Sequence, residues 1–317
     1  MRNSNMTNAM IKTNSTDHLS SGLVKPVTIV TPAYNRADCL PRLYQSLLAQ
    51  TSKDFDWLII DDGSTDDTRR VVEGYIAESK IPIRYLYKEN GGKHSALNVA
   101  FREVKAELLF IVDSDDVLTP DAIETILKDW DAVRDKNLCG ISYLRGYDAE
   151  RVIGDRHPED HAIDNFINLR YNRGIGGDKA EVWRTECLHD FQFPEYPGER
   201  FISESVAWIY LAKRWDMLEV NKIIYITEYL EGGLSKTGRR LRFQCPNLMA
   251  YGSLMTMSKE FSTKIRIKQA LLYIVYSKFG GKSFGQIVQC PYHSLVTLCY
   301  LPGLMLYRVW KRKYMNV

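Results

Sequence analysis

The chain has 317 residues, of which 45% are hydrophobic and 26% are charged. This length suits one large α/β domain with an appendage, and the composition excludes a wholly disordered, collagen-like or coiled-coil protein. The six cysteines include no Cys-x-x-Cys pair. A zinc ribbon and a disulfide-stapled fold are therefore disfavoured, and reduced thiols are expected.

Charge is unevenly distributed along the chain. Nine of the 42 Lys and Arg residues lie after residue 263, where there is no Asp or Glu, so residues 1–263 carry a net charge of −6. An acidic body with a basic tail indicates that only the tail contacts an anionic surface. We expect a membrane rather than nucleic acid, because the tail is also rich in apolar residues.

The chain divides into four regions. Residues 1–24 are rich in Asn, Ser and Thr and lack the apolar run of a signal peptide, so a disordered leader is expected. Residues 25–135 show a regular alternation of strand and helix patterns, and residues 136–262 are less regular. Residues 263–317 form the basic, apolar tail.

Residues 25–135 are predicted to alternate strands with helices. The strands are predicted at 27–30, 57–60, 83–87 and 108–112, and the helices at 37–50, 66–78, 95–105 and 121–133. Short apolar strands between longer helices predict a doubly wound, mostly parallel sheet of the Rossmann-like α/β class, covered on both faces. Thr119 and Pro120 predict the N-cap and the first residue of the fourth helix.

The tail contains apolar segments at residues 265–276 and 287–310. The second segment is interrupted by Pro302-Gly303, whereas a membrane-spanning helix needs about 20 uninterrupted apolar residues. We therefore expect an interfacial or re-entrant membrane segment with Trp310 and Tyr314 at the interface. The alternative is a helical hairpin packed on the body of the protein.

Polar side chains follow three of the predicted strands, at the points where these strands end. They form the segments Thr31-Pro-Ala-Tyr-Asn-Arg36, Asp61-Asp-Gly-Ser64 and Asp113-Ser-Asp-Asp116. Ligands bind at the carboxyl ends of parallel strands. Clustered carboxylates repel one another unless a cation neutralises them, and oxygen ligands favour Mg²⁺ or Mn²⁺. The alternative for residues 61–64 is a turn in which Ser64 and Asp67 form a capping box.

These motifs, in this order, closely resemble the family 2 glycosyltransferases of bacterial polysaccharide biosynthesis, which have the GT-A fold. The resemblance rests on residues 27–36, Gln50-Thr51, residues 61–66, Asn98, and residues 113–116 with Pro120. It covers residues 26 to about 130 and continues more weakly to about residue 235. The resemblance implies a nucleotide-sugar donor and inversion at the anomeric carbon. It also implies that residues 25–135 bind the nucleotide-sugar and that residues 136–262 bind the acceptor and supply the catalytic base.

The resemblance also implies roles for individual residues. Contacts with the nucleotide-sugar are expected from Thr31, Pro32, Tyr34, Asp61, Asp62, Asn98, Asp113 and Ser114. Asp115 is the first choice of metal ligand, with Asp113 and Asp116 as further candidates. From the residues themselves, Lys93 and the backbone amides of the Gly-rich loop around it could approach phosphate. The alternative for that loop is a flexible connection with an ordinary helix cap.

The family places a catalytic carboxylate at the start of a later helix, usually in a Glu-Asp pair four residues before a Trp. Here Glu204 lies four residues before Trp208, and Ser203-Glu204 takes the place of that pair. We expect Glu204 to be the general base, with Glu199 as the reserve. The alternative for Glu204 is a charge stabilised by the helix dipole.

Two segments are candidates for contacts with the acceptor or the leaving diphosphate. Asp178 ends a loop that resembles the acceptor-side loop of the family, and Trp183 could be a platform for a sugar, with core packing as the alternative. The Gly-rich segment 231–240 carries Lys236 and Arg239. It could close over the diphosphate, or it could be a solvated run of charges.

The sequence thus predicts a metal-dependent, inverting hexosyl- or N-acetylhexosaminyltransferase. We expect a UDP-linked donor, a saccharide or lipid-linked saccharide as acceptor, and a role in cell-surface polysaccharide synthesis. The expected location is the cytoplasmic face of the plasma membrane, as a peripheral protein with no nucleic-acid partner. The alternatives are a nucleotidyltransferase, whose Gly-rich basic fingerprint the first loop lacks, and an inactive sugar-nucleotide-binding protein, which the missing Glu-Asp pair allows.

Overall fold

The structure is a computed structural model that describes residues 24–227 and 241–315. The expected leader, apart from Val24, lies outside the described residues. The Gly-rich segment 231–240, with Lys236 and Arg239, also lies outside them.

The described strands and helices follow the predicted order through residue 135. The strands are β1 (Val27–Ala33), β2 (Phe55–Asp61), β3 (Ile83–Tyr87), β4 (Leu108–Ile111), β5 (Val117–Leu118), β6 (Leu138–Gly146), β7 (Ala162–Asp164), β8 (Lys179–Arg184) and β9 (Asp216–Ile226). The helices are α1 (Leu40–Leu48), α2 (Thr68–Glu78), α3 (Lys93–Glu103), α4 (Ala122–Asp131), α5 (Ser205–Ala212), α6 (Pro246–Met255), α7 (Thr263–Phe279), α8 (Phe284–Val288) and α9 (His293–Met315). The four predicted strands and four predicted helices are confirmed, with ends that differ by three residues or fewer.

Within the described residues, the strands form one nine-stranded sheet in the order β3-β2-β1-β4-β8-β6-β9-β5, and β7 pairs with β9. β1 lies parallel to β2 and β4, and β2 lies parallel to β3. β8 is antiparallel to both β4 and β6. The α/β fold with a doubly wound parallel half is confirmed, and the less regular half continues the same sheet in mixed orientation.

Helices cover both faces of the sheet, which explains why the strands are apolar at successive positions. Ile29 of β1 packs on one face with Leu43 of α1 and Ile126 of α4. Its neighbour Val30 packs on the other face with Leu97 of α3 and residues of α5. Successive side chains of a strand point to opposite faces, so both must be apolar when both faces are buried.

The start of α4 differs from the prediction. The helix begins at Ala122, and Asp121 holds the N-cap position without a side-chain cap bond. The Thr119 hydroxyl donates to Asp121 Oδ1 at 2.9 Å, and the Ala122 N–H donates to the Thr119 carbonyl at 3.1 Å. Thr119 and Pro120 therefore form a turn before the helix, and the predicted Thr119 cap is wrong because its hydroxyl is used inside that turn.

The C-terminal segment forms a hairpin of α7 and α9 that packs on α6 through a separate apolar core. Gly303 lets the two long helices approach, since a Cβ there would lie 2.9 Å from atoms of Ile274. Pro302 stands on the exposed side of α9, where water can bond the Leu298 carbonyl that Pro302 leaves without a donor. One helix therefore passes through Pro302-Gly303, and the packed hairpin replaces the expected re-entrant segment.

Trp310 and Tyr314, which were expected at a membrane interface, instead pack inward. Their rings lie 5.7 and 5.3 Å from the ring of Phe243, measured between centroids. These aromatic contacts close the end of the hairpin against the residues that precede α6. In the part of the chain that the structure describes, no helix is long and apolar enough to cross a membrane.

Candidate active site

The three polar segments that follow β1, β2 and β4 lie along one edge of the sheet. Ala33, the last residue of β1, is in register with Asp61, the last residue of β2. The Asp62 N–H donates to the Ala33 carbonyl at 2.8 Å. Val30 is in register with Ile111 of β4, so the acidic segment that follows β4 begins beside the first loop. The predicted convergence at the carboxyl ends of the strands is confirmed.

The loop after β1 is bonded to both neighbouring loops. The Asn35 N–H donates to Ser64 Oγ at 2.9 Å, and Arg36 Nε donates to Ser114 Oγ at 3.1 Å. Asn35 has a φ of 52°, a left-handed conformation that Asn tolerates better than most residues. Tyr34 lies in the segment that these bonds hold in place, and its side chain is 44% exposed. Pro32, two residues before it, is half-buried.

Asp61 is fully buried and stabilises the turn after β2. It accepts the Ser64 N–H at 2.7 Å through one oxygen and the Tyr85 hydroxyl through the other. Burial and the bond to Asp61 raise the pKa of Tyr85 well above its usual value, so Tyr85 remains a donor. Both oxygens of Asp61 are thus engaged within the protein. The alternative capping box is absent, because α2 begins at Thr68 and Ser64 therefore does not hold its N-cap position.

Asp62 fixes the loop that leads into α3. One oxygen accepts Lys88 Nζ at 2.7 Å and the Gly91 N–H at 2.9 Å, and the other accepts the Gly92 N–H at 2.7 Å. Gly92 has a φ of 93°, and a Cβ there would lie 2.1 Å from the Arg200 carbonyl oxygen. Asp62 therefore holds a glycine loop against the segment that precedes Glu204, and its direct contact with a nucleotide stays a prediction.

Thr31 and Asn98, which were expected to contact the nucleotide, have buried side chains that bond within the protein. Thr31 is buried, and its hydroxyl accepts Trp57 Nε1 at 2.9 Å. Asn98 is also buried, and its amide bonds both the N–H and the carbonyl of Phe193, at 2.8 and 3.0 Å. Their side chains join elements of the fold, which corrects their predicted role in binding the nucleotide.

The acidic segment 113–116, which follows β4, lies beside the positively charged side chains of Lys93 and Arg145. Asp113 forms an ion pair with Lys93, and Arg145 Nη1 of β6 lies 3.8 Å from Asp113 Oδ2. The Asp113 N–H donates to the Tyr225 hydroxyl at 2.9 Å. Burial alone would raise the pKa of Asp113, but the charges of Lys93 and Arg145 outweigh it and lower the pKa below its usual value. Asp113 is therefore an ionised carboxylate.

Asp116 is buried beside the same arginine. Its Oδ2 lies 3.8 Å from Arg145 Nη1. Burial and then the negative charge of Asp113 raise the pKa of Asp116 to about 7. A group in this position is only partly ionised near neutral pH, so a further cation bound close to it would favour the carboxylate.

Asp115 has a different environment from Asp113 and Asp116, which both lie near Arg145. It is half-buried, and among residues 24–227 and 241–315 it forms no hydrogen bond or ion pair. In the same residues no three His, Cys, Asp or Glu side chains are placed to hold a metal together. A Mg²⁺-type site needs only one or two carboxylates when substrate phosphates supply other ligands. The free carboxylate of Asp115 next to that of Asp113 fits such a site.

Glu204 belongs to the less regular half of the chain and lies close to the acidic segment 113–116. It holds the N-cap position of α5, and its side chain is 26% exposed. Lys93 forms ion pairs with both Glu204 and Asp113. Burial alone would lower the pKa of Lys93, but the two carboxylates outweigh it and raise the pKa above its usual value. One ammonium group thus joins the predicted base to the acidic segment.

Comparison with known proteins agrees with this geometry. Residues 28–185 match the sequence profile of Glycosyl transferase family 2. The chain belongs to this family. The matched range runs from β1 through β8 and includes the acidic segment and Lys93.

Curated relatives match part of the chain. A glycosyltransferase named GlyG from Streptococcus pneumoniae is 30% identical over 141 residues, which are 44% of this chain and 42% of that protein. Chondroitin synthase from Pasteurella multocida is 40% identical over 142 residues, which are 45% of this chain and 14% of that protein. The match thus spans less than half of the length of either relative.

Solved structures match most of the chain. Residues 1–349 of S. aureus TarS, in complex with UDP-GlcNAc, superpose with a TM-score of 0.57 and 18% identity, over 89% of this chain and 80% of that one. The mannosyltransferase PcManGT from Pyrobaculum calidifontis, in complex with GDP-Man and Mn²⁺, gives a TM-score of 0.55 and 16% identity, over 90% and 87%. At these identities the likeness establishes the GT-A fold of this family 2 glycosyltransferase.

Trp183 of this family 2 glycosyltransferase is part of the core. It is fully buried in β8 and stacks on Trp208 of α5, with ring centroids 4.2 Å apart. The predicted sugar platform is wrong, and the core-packing alternative is confirmed. Asp178, just before β8, is exposed, and its role toward an acceptor stays a prediction.

Glu199, the reserve base, is a helix cap. One of its oxygens accepts the Asn247 N–H at 3.0 Å and the Asn247 side-chain amide at 2.7 Å, and the other accepts the Leu248 N–H at 2.8 Å. These donors belong to the first turn of α6, where a negative charge is stabilised. Both oxygens are engaged and the residue is buried, so the geometry favours Glu204 as the base.

We expect Glu199→Gln to destabilise the protein by about 1.5–3 kcal/mol, because hydrogen bonds to a charged group are lost at a buried helix start. Urea unfolding measures this change. Glu186→Gln is the matched control, since the Glu186 side chain is 71% exposed, and its effect should stay within about 0.5 kcal/mol. Unchanged stability with loss of transfer in Glu199→Gln would instead return Glu199 to the role of base.

Sequence reasoning missed residues that come from the less regular half. Arg145 lies on β6 and stacks 4.0 Å above the ring of Tyr225 of β9. Glu181 of β8 lies near Glu204, and burial, with a smaller contribution from the Glu204 charge, raises the pKa of Glu181 to about 7. Arg145 within the apolar strand β6 is a signal that the sequence offers, because a charge is seldom buried without a partner. Glu181 has no such signal, since β8 carries three charged residues.

Proposed function

We propose that this protein transfers a sugar from a nucleotide-activated donor to a hydroxyl group of a saccharide acceptor, with inversion at the anomeric carbon. The observation that carries the proposal is the meeting of Asp113 and Glu204 at Lys93. Asp113 follows β4 at the carboxyl ends of the parallel strands, where open α/β sheets bind ligands, and Glu204 comes from the start of α5 in the other half of the chain.

In the proposed reaction Glu204 accepts the proton of the acceptor hydroxyl as its oxygen attacks the anomeric carbon. The bond from that carbon to the diphosphate breaks in the same step, and the nucleoside diphosphate leaves with the electron pair. A single displacement inverts the configuration and needs no covalent intermediate. Lys93 holds the Glu204 side chain at the cleft, and its charge lies close to where the diphosphate would sit.

We propose that Asp115, with Asp113 beside it, holds a divalent metal together with the donor diphosphate. The metal would supply positive charge that stabilises the leaving group. The exposed Tyr34 and the half-buried Pro32 are proposed to contact the nucleotide, and Asp178 the acceptor. Lys236 and Arg239 retain their proposed role toward the diphosphate.

The proposed donor is UDP-linked, with a hexose or N-acetylhexosamine. Its support is the likeness to the UDP-GlcNAc complex of TarS and the match to chondroitin synthase. The same match supports an acceptor that is a growing surface polysaccharide. GDP-sugars are the alternative donors to test beside UDP-sugars, because PcManGT binds GDP-Man.

We expect UDP-sugars with Mn²⁺ to raise the melting temperature by about 2 °C at saturating concentrations, because a ligand that binds only the folded state stabilises it. The control is the same nucleotide with a chelator, which should reduce the shift. A panel that includes GDP-sugars identifies the nucleotide. Stabilisation by GDP-sugars and not by UDP-sugars would contradict the proposed donor.

Product analysis separates the proposed activity from its rivals. A glycosyltransferase releases UDP from the donor and adds the sugar to an acceptor, or slowly to water. A nucleotidyltransferase would release pyrophosphate from a nucleoside triphosphate, and an inactive binding protein would release neither product. We expect release of UDP that depends on Mn²⁺ and that falls by about 10²–10⁴ when Glu204 is replaced by Gln.

We further propose that the enzyme works as a peripheral protein on the inner, anionic face of the plasma membrane, next to a lipid-linked acceptor. The support is the excess of basic residues after residue 263, where no acidic residue is present. Each Lys or Arg close to an anionic bilayer contributes about 1 kcal/mol to binding. The packed hairpin of α7 and α9 carries these charges on the outside of the protein.

A further inference from the structure

The outer side of α9 carries an apolar stripe that no part of the described chain covers. Leu298, Leu301, Met305 and Val309 are 80%, 67%, 67% and 59% exposed. Their spacing of three, four and four residues places them on one face of the helix. Large apolar side chains that are exposed singly are common, but a row of four marks an interaction surface.

Positive charges flank this outer stripe. Arg308 and Arg312 are exposed, and each lies seven residues after a member of the stripe, so both project from the same side of α9. Lys311 and Lys313 are exposed in the last turn. The opposite side of the helix is buried in the core of the hairpin through residues such as Val296 and Cys299.

This charge pattern determines what can cover the stripe. In a symmetric dimer, the same face of a second copy would offer these cations no acidic partner, because residues 264–317 contain no Asp or Glu. An anionic lipid surface is complementary, because its head groups pair with Lys and Arg while its acyl chains receive the apolar side chains. The stripe spans about 17 Å along the helix, too short to cross a bilayer of about 30 Å.

We infer that the outer stripe of α9 is the membrane-docking surface of this protein, and that α9 lies in the plane of an anionic leaflet with the hairpin fold intact. This inference rests on the proposed membrane association and specifies its structure. It requires neither insertion of Trp310 nor unfolding of the hairpin, since the residues concerned already face outward.

Point substitutions test the inference better than truncation. Removing residues 263–317 would uncover apolar residues in and just after α6, such as Ala250 and Met257, which are buried in the core shared with the hairpin. The paired change Leu298→Ser and Met305→Ser shortens only exposed side chains. Its matched control is Val24→Ser with Ile76→Ser, which changes two exposed apolar residues outside the hairpin, 68% and 39% exposed.

The measurement is sedimentation of the full chain with phosphatidylcholine vesicles, with and without phosphatidylglycerol. We expect binding only to the anionic vesicles, and weakening as salt rises. The stripe variant should bind at least about tenfold more weakly, because less apolar surface enters the bilayer, and the control variant should bind like the wild type. Circular dichroism melting shows that both variants remain folded.

A second pair separates charge from apolar contact. Arg308→Gln with Arg312→Gln should weaken binding to the anionic vesicles and flatten its dependence on salt. The control Lys105→Gln with Lys128→Gln removes two exposed charges elsewhere on the protein and should leave binding unchanged.

Three outcomes would overturn the inference: no binding of the full chain to anionic vesicles at low salt, equal binding by the stripe variant, or self-association that disappears in the stripe variant without lipid binding. The last outcome would assign the stripe to a second copy. Release of UDP in lipid-free buffer is measured in parallel. It should be the same in the stripe variant and the wild type, so failure of the docking surface and failure of the proposed transfer give different results.

Discussion

Replacing Glu204 with Gln is expected to lower kcat by about 10²–10⁴, the usual contribution of a general base, while the donor binds nearly as before. The amide keeps the size of the side chain, and its oxygen can still accept a hydrogen bond from Lys93. It cannot accept the proton of the acceptor hydroxyl. The loss should therefore appear in kcat measured with saturating donor and acceptor, and the thermal shift produced by the donor should remain.

Two controls make this result specific to Glu204. Glu186→Gln changes an exposed carboxylate and should leave kcat unchanged. Glu181→Gln changes the other carboxyl group near the cleft, whose raised pKa leaves it partly protonated near neutral pH. If Glu204→Gln retained normal turnover and Glu181→Gln lost it, the base would be Glu181, and the interpretation of residues 201–208 would be wrong.

The fold of residues 25–135 could be predicted from the sequence because its signals are local. Most of its strands are largely apolar runs bounded by polar residues, and α1 and α4 each bury one apolar face. The order of these elements also places their carboxyl ends at one edge of the sheet. The acidic segment 113–116 and the segment around Glu204 could be found for the same reason, since each is read within a few neighbouring residues.

Errors arose where a distant partner decides the role of a residue. Asn98 bonds Phe193, and Trp183 stacks on Trp208, so a polar and an aromatic side chain that looked functional are structural. The sequence makes Glu199 a plausible base, but its bonds to the first turn of α6 make it a helix cap. Nothing near these residues in sequence indicates such contacts, which form only when the two halves of the sheet come together.

Pro302-Gly303 illustrates the same difficulty. A Pro-Gly pair is a strong local signal for a turn, and it predicted a break in the tail. In the structure, the helix α9 continues through this pair, because the glycine allows close approach to Ile274 and the proline faces solvent. The basic character of the tail required no such context, since charge can be counted directly from the sequence.

Replacing Asp115 with Asn is expected to reduce turnover by about 10²–10³, because the charge on the leaving diphosphate loses several kcal/mol of stabilisation when its metal is held poorly. The fold should be unaffected, since Asp115 has no hydrogen-bond or ion-pair partner among the described residues. Removing one of several neighbouring carboxylates also relieves repulsion. Asp135→Asn, on an exposed residue, is the matched control.

Two measurements test the Asp115 prediction independently. Titration of Mn²⁺ in the presence of UDP, followed by electron paramagnetic resonance, should show weaker binding in Asp115→Asn than in the wild type or in Asp135→Asn. Transfer by the variant should recover in part at high Mn²⁺, because Asp113 and the donor phosphates still supply ligands. Normal turnover of Asp115→Asn in chelator-treated buffer would show that Asp115 does not hold a metal. The acidic segment would then act through Asp113 and its ion pair with Lys93 alone.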